Sequence, residues 1–124
     1  MRRPLLVLIL CIAAIALVAT FVAVAVQEEK PPPGASLGER VYYRYCADCH
    51  GRNGRGSWCA TLLLSRPGDL TDAARMRSHS DRYLFALVKL GGSPLGKPGM
   101  PGFGFNLTDE QIEAVVTYVR TLSR

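Results

Sequence analysis

The sequence of 124 residues lacks the features of several large classes of protein. No stretch has the alternating pattern of a half-buried strand and no segment is repeated, so we predict neither a sheet protein nor a repeat array. No recognised nucleic-acid-binding motif accompanies the net charge of +5, which argues against a nucleic-acid partner. The length allows one folded domain at most. The sequence therefore predicts a small helical protein.

Charge is also missing from residues 5–26, which form an unbroken apolar run. As a helix, this run is about 33 Å long and can cross the hydrocarbon layer of a bilayer. Arg2 and Arg3 precede it and nothing comparably basic follows it, so the positive-inside rule predicts a cytoplasmic N-terminus and an exported remainder. We interpret residues 1–26 as a transmembrane anchor, because the run is longer than the usual core of a signal peptide. Cleavage at the A-x-A pattern of residues 23–25 is the alternative.

The next residues predict a linker and then a folded domain. Residues 27–35 begin with Gln27 and three charged side chains and continue with three prolines, which favours a stiff polyproline II spacer. Such a tether holds the following domain within roughly 30 Å of the membrane. In residues 36–124, capping patterns and apolar residues at helical spacing predict three main helices, beginning near Ser36, Ser80 and Thr108.

Two of the four cysteines lie in a C-x-x-C-H motif formed by residues 46–50. This motif predicts one covalently bound haem c, because the thiols of Cys46 and Cys49 can add to the haem vinyl groups while His50 reaches the iron. A thioredoxin-like redox pair is one alternative, but it would follow a strand. A zinc site is the other, and it would need a second pair of ligands. The remaining residues of suitable type are Cys11, Cys59 and His79.

Around this motif the sequence resembles the class I c-type cytochromes. Gly38 and Tyr42 stand eight and four residues before Cys46, like the family's glycine and aromatic positions where the first helix crosses the last. Val115 and Tyr118 resemble the partner pair on that last helix. The resemblance covers nearly all of residues 36–124. It implies an all-α, cytochrome c-like fold with three main helices around a covalent haem, here preceded by one transmembrane helix.

The resemblance also implies which residues contact the haem. Residues 67–71 resemble the segment that passes the proximal side, where the Pro67 carbonyl would hold the His50 imidazole through its second nitrogen. Leu70 of the same segment would contact the haem. On the opposite side, we expect Phe103 and Phe105 to form part of the haem wall, with ordinary packing against the last helix as the alternative.

Met100 is the predicted sixth ligand of the iron. It lies in residues 97–103, where prolines and glycines prevent a helix and favour a fixed loop. In the family, a methionine followed by proline shortly before the last helix is the distal ligand. A thioether opposite an imidazole stabilises ferrous iron and raises the reduction potential. The alternatives are Met76 or His79, both expected to be exposed on a loop or a short polar helix, and an open sixth position.

Other residues support weaker expectations. Trp58 is expected to fill a loop or to cover the haem edge, and Cys59 to be a partly buried, inert thiol. Arg52 and Arg55 follow the haem motif directly. They either steer docking to an acidic redox partner or form part of a generally basic surface.

Together these features predict an electron carrier and not an enzyme. We expect a monohaem cytochrome c, anchored in a bacterial cytoplasmic membrane by a single helix, which transfers single electrons in the periplasm. Its partners would be redox proteins, including membrane complexes, with no small-molecule substrate. One alternative is a fixed haem c subunit of a larger oxidase, dehydrogenase or quinol-oxidising complex. Another is a haem ligand sensor or enzyme with an open sixth position.

Overall fold

The computed structural model describes residues 2–25, 30–58, 60 and 66–124. Its first helix, α1 (Arg2–Ala25), contains an apolar span, Arg3–Val24, with a mean hydropathy of 3.2 and no part buried. Length and composition suit a membrane span, and a signal sequence has the same two properties. Cys11 is exposed on this helix. All other regular structure in the described residues is also helical.

The end of the predicted linker folds back onto the domain. Residues 32–35 form a turn in which the Ala35 amide donates to the Pro32 carbonyl at 3.1 Å, and Gly34 has a φ of 79°. Glycine favours this left-handed conformation because it has no Cβ. Ala35 is buried and its carbonyl accepts a hydrogen bond from Arg40. The last residues of the predicted linker, residues 27–35, therefore contact the domain, and residues 27–29 lie outside the described part.

Three capped helices form the frame of the domain, as predicted. Helix α2 (Leu37–Tyr45) begins where the Ser36 hydroxyl accepts the Glu39 amide at 3.2 Å. A short helix, α3 (Ala47–His50), follows it directly. Farther along the chain lie α4 (Ala73–Ser78), α5 (Asp81–Leu90), a 3-10 turn (Ser93–Leu95) and α6 (Asp109–Leu122). Thr108 and Gln111 form the complete capping box predicted for α6.

Helices α2 and α6 meet at Gly38. A Cβ atom at this position would lie 2.0 Å from the carbonyl oxygen of Ala114 and 3.0 Å from Cβ of Tyr118. The Tyr42 side chain is fully buried, and its ring centroid lies 5.2 Å from that of Tyr118. Val115 is buried beside them. The predicted close crossing of the first and last domain helices is confirmed, with the Ala114 backbone as its nearest contact.

A second apolar cluster contains Met76, which the sequence predicts to be exposed. Met76 on α4 is 2% exposed and packs with Leu84 and Val116. The predicted exposure is wrong; it follows from the composition of α4, where Met76 is the single long apolar side chain in an otherwise polar segment. The Arg120 guanidinium of α6 fixes this helix: it donates to the carbonyls of Met76 and His79. Burial of Met76 follows from these contacts, which are distant in sequence.

Candidate haem site

The C-x-x-C-H motif occupies one short turn of helix. Cys46 ends α2 and begins α3, and its carbonyl accepts the His50 amide at 2.8 Å. Cys46 is half-buried and Cys49 is exposed, and both thiols are free. Burial raises the pKa of the Cys46 thiol to about 12, with a smaller contribution from the neighbouring Cys49. One turn of the chain therefore carries two free thiols three residues apart and, directly after the second, an imidazole.

The loop after the motif closes tightly beneath it. Gly51 ends α3 with a φ of 71°, and a Cβ there would lie 2.9 Å from the Gly56 carbonyl oxygen. The Tyr42 hydroxyl donates to the Gly51 carbonyl at 2.7 Å. The Gly56 amide donates to the His50 carbonyl at 2.8 Å. Both contacts tie the motif to the domain core.

His50 is oriented by a backbone carbonyl. Its Nδ1 lies 3.3 Å from the Gly68 carbonyl oxygen, so the neutral ring donates from Nδ1 and keeps a lone pair on Nε2. Burial lowers the pKa of His50, and the bond to Gly68 opposes this shift. A neutral imidazole with a free Nε2 is the form that binds a metal.

The partner of His50 differs by one residue from the prediction. The carbonyl expected in this role was that of Pro67. Instead, the Pro67 ring lies over the returning loop, with Cγ 3.6 Å from the Cβ position of Gly56, and the chain turns so that Gly68 faces the imidazole. The predicted type of contact is present, but its donor-acceptor pair is His50 and Gly68.

Leu70 and Phe103, from two other segments, pack against the same core cluster as Cys46. Leu70 is half-buried against both core clusters, and its amide donates to the Gly54 carbonyl at 2.8 Å. Phe103 is half-buried and meets the ring of Tyr45 edge-on at 5.8 Å. Phe105 and Trp58 are exposed, the latter by 68%, so the loop-filling role expected for Trp58 is wrong, and its role at the haem edge stays a prediction. Contact of Leu70 and Phe103 with haem stays a prediction, and Cys59 lies outside the described residues.

The predicted distal residue lies on a fixed loop. Met100 is half-buried, its amide donates to the Lys97 carbonyl at 3.1 Å, and its carbonyl accepts the Gly92 amide at 2.8 Å. Of the alternative ligands, Met76 is part of the core. His79 is half-buried and its ring stacks on Tyr83 at 4.5 Å. The described residues contain no group of three or more His, Cys, Asp or Glu side chains that could hold a metal ion.

Comparison with known proteins identifies the family. The family model described as "Cytochrome C oxidase, cbb3-type, subunit III" matches residues 33–119. Cytochrome c6 of Rippkaea orientalis (strain PCC 8801 / RF-1) is 33% identical over 110 residues, which cover 87% of this chain and 88% of the relative. The chain belongs to the class I c-type cytochromes. A solved structure, the KustC0563 c-type cytochrome, matches this cytochrome with a TM-score of 0.60 and 26% identity, over 70% of this chain and 98% of the other.

Membership of the family means that this cytochrome binds haem c covalently and transfers electrons. The residues of the site fit that group. Two free thiols and a neutral imidazole lie on the single turn formed by Cys46 and α3, and the Gly68 carbonyl fixes the orientation of the imidazole. Apolar side chains supply the low-polarity surroundings. The all-α, cytochrome c-like fold predicted from the sequence is confirmed.

Proposed function

We propose that Cys46 and Cys49 form the two thioether bonds to the haem of this cytochrome and that His50 is the proximal iron ligand. The observation that carries the proposal is the arrangement of α3, where the three side chains follow one another in a single turn and Gly68 fixes the imidazole. When bound, the haem supplies one-electron redox chemistry. The protein orients the ligands, as the bond between His50 and the Gly68 carbonyl does for the imidazole.

Mass spectrometry of the purified protein tests the attachment. We expect the chain to carry the mass of one haem that denaturation does not remove. Cys46→Ala and Cys49→Ala should each keep at most one thioether, and the double variant should lose covalent haem. Cys11→Ala is the matched control and should keep the full adduct. A double variant that retains covalent haem would contradict the assignment.

Met100 is the proposed distal ligand. It is half-buried, and both of its backbone groups are hydrogen-bonded within the loop. Met76, the other methionine considered, is committed to the core by its contacts with Leu84 and Val116. With His50 and Met100 both bound, the iron has no open position, which favours electron transfer over catalysis or ligand sensing. Met100→Ala should change the spectrum and lower the reduction potential.

We place the haem domain on the periplasmic face of a bacterial cytoplasmic membrane, held there by α1. The support is the apolar span Arg3–Val24, which begins with one basic residue and follows another, Arg2, and the absence of a charged residue from residue 5 to residue 26. N-terminal analysis of the mature protein and extraction of membranes at high pH test retention. An intact N-terminus in the membrane fraction supports an anchor. A soluble form that begins after residue 25 would show that the helix is a cleaved signal.

A fixed subunit of a membrane oxidoreductase is the second candidate, because the matching family model is described by a subunit of an oxidase. In that role, α1 would be an assembly element and the linker would hold the haem near another redox centre. Purification of the full-length protein in mild detergent distinguishes the two candidates. A constant companion in fixed ratio would support the subunit, and an isolated cytochrome that exchanges electrons with separate proteins would support the free carrier.

An acidic redox partner is proposed for either case. Arg52 and Arg55 lie on the loop that follows the motif and are exposed, with the Arg52 guanidinium 5.7 Å from the Tyr43 ring centroid. Positive charge next to the haem-binding motif would steer a negatively charged partner by long-range attraction. The rate of electron exchange should fall as ionic strength rises. Arg55→Gln should weaken that salt dependence, whereas Arg82→Gln on the exposed start of α5 should leave it unchanged.

A further inference from the structure

The loop that carries Met100 is joined to the end of α5 by backbone hydrogen bonds. The Gly92 amide donates to the Met100 carbonyl at 2.8 Å, and the Gly92 carbonyl accepts the Lys97 amide at 2.7 Å. Farther along, the amides of Phe103 and Gly104 donate to carbonyls of α5 at 2.9 and 3.0 Å. We call the paired segments, residues 88–92 and 97–104, the glycine seam. The hydrogen bonds of the seam fix the backbone before, at and after Met100.

Glycines let the two segments of the seam touch. A Cβ atom at Gly92 would lie 1.8 Å from the Lys97 carbonyl oxygen and 2.7 Å from the carbon of that carbonyl. A Cβ at Gly102 would lie 2.8 Å from the Leu90 carbonyl carbon, and one at Gly104 would lie 2.9 Å from the Lys89 carbonyl oxygen. Each of these atoms is backbone, so no side chain can rotate away to make room. The seam requires residues without a Cβ at these positions.

Gly92 is needed for space and not for its conformation. Its φ and ψ are −84° and −18°, which alanine adopts without strain. Gly96, in the same loop, is the opposite case, since its φ is 72° but a Cβ there would meet nothing within 4 Å. Substitution of Gly92 therefore tests the steric contact, and substitution of Gly96 tests the backbone conformation.

We propose that Gly92, with Gly102 and Gly104, positions Met100 as the distal ligand by allowing the loop backbone to lie directly against α5. The inference rests on the axial role proposed for Met100 and adds residues that act through it. Because the Lys97 carbonyl accepts the Met100 amide, a side chain at position 92 that displaces Lys97 also displaces Met100. The glycine seam is thus a positioning device for the ligand, made of main-chain contacts.

The decisive experiment compares Gly92→Ala with Gly96→Ala in the haem-loaded, full-length protein. In Gly92→Ala the Lys97 carbonyl must retreat from 1.8 Å to the ordinary contact distance of 3.4 Å or more. We expect loss of the ferric absorption band that reports methionine sulfur on the iron and a fall in reduction potential. Amide exchange at Met100, Phe103 and Gly104 should also become faster. Gly96→Ala should retain the band, the potential and the slow exchange.

Three results separate this inference from the axial assignment. If Met100→Ala changes neither the band nor the potential, Met100 is not the ligand and the inference falls with that assignment. If Met100→Ala abolishes the band but Gly92→Ala keeps it, Met100 is the ligand and the positioning role of the seam is refuted. Equal losses in Gly92→Ala and Gly96→Ala would also refute it, because the loop would then be sensitive to any change.

A milder variant covers the case in which Gly92→Ala yields no folded protein. Gly104→Ala places its Cβ 2.9 Å from the Lys89 carbonyl oxygen, so a smaller shift of the loop is enough to accommodate it. We expect a partial loss of the band in this variant, with helical content unchanged by circular dichroism. A full band in a folded Gly104→Ala protein would overturn the proposal.

Discussion

Replacement of Gly38 by alanine tests the helix crossing on which the domain is built. The new Cβ would lie 2.0 Å from the Ala114 carbonyl oxygen, far inside the ordinary contact distance of 3.4 Å. Because the opposing atom is backbone and belongs to the middle of α6, the two helices must move apart. Their separation would loosen the packing of Tyr42 against Tyr118 and of the buried Val115.

Two opposing contributions determine how much Gly38→Ala changes the free energy of unfolding. Forced overpacking of a core contact costs about 3 kcal/mol at the upper end of its usual range, which suits a contact with rigid backbone on the other side. Alanine in place of glycine inside a helix stabilises the helix by about 1 kcal/mol. The net loss should be about 2 kcal/mol. For a domain of this size, this lowers the unfolding midpoint by about 8–16 °C.

Thermal unfolding of the haem-loaded protein, followed by circular dichroism, measures this loss. Gly34→Ala is the matched control, since a Cβ there meets nothing within 4 Å and only the left-handed backbone, with a φ of 79°, is penalised. That penalty is about 1 kcal/mol. Gly38→Ala should therefore be the less stable of the two. A Gly38→Ala protein as stable as the wild type, or more stable, would refute the close crossing.

Three further predictions concern hydrogen bonds and pH. Tyr42→Phe removes the bond to the Gly51 carbonyl and should cost about 1 kcal/mol in urea unfolding, and an unchanged midpoint would contradict that role. Burial raises the pKa of Tyr42 above its usual value, so above about pH 10 the unfolded chain loses this proton first. Stability should therefore fall with rising pH, and Tyr42→Phe should reduce the slope. Arg120→Lys loses hydrogen bonds to the carbonyls of Met76 and His79 and should lower the free energy of unfolding by about 1–3 kcal/mol. The control is Arg77→Lys, at an exposed position, which should change that free energy by less than about 0.5 kcal/mol.

Local signals in the sequence predicted the helices of the domain well. Ser36, Ser80 and Thr108 each cap the helix expected after them, and Gly91 ends α5 as predicted. Such signals act over three or four residues, so spacing alone reveals them. The Gly38 position was also predicted, although through a family resemblance and not from spacing.

Contacts between distant segments were predicted less well. The burial of Met76 depends on Val116 and on an arginine 44 residues away, and neither can be inferred from the short α4 itself. The choice of Gly68 over Pro67 depends on the exact turn of the chain, where a shift of one residue changes which carbonyl faces His50. The loop and the family resemblance predict Met100, but the role of the glycines beside it depends on contact between two backbone segments that the sequence does not reveal.

Exposure of the reduced, full-length cytochrome to carbon monoxide tests most directly whether His50 and Met100 both bind the iron, so that the haem only exchanges electrons. We expect a low-spin ferrous spectrum that carbon monoxide leaves unchanged at neutral pH, and we expect Met100→Ala to bind carbon monoxide. Rapid binding of carbon monoxide by the wild-type protein would show an open sixth position and would contradict the role of Met100 as a ligand.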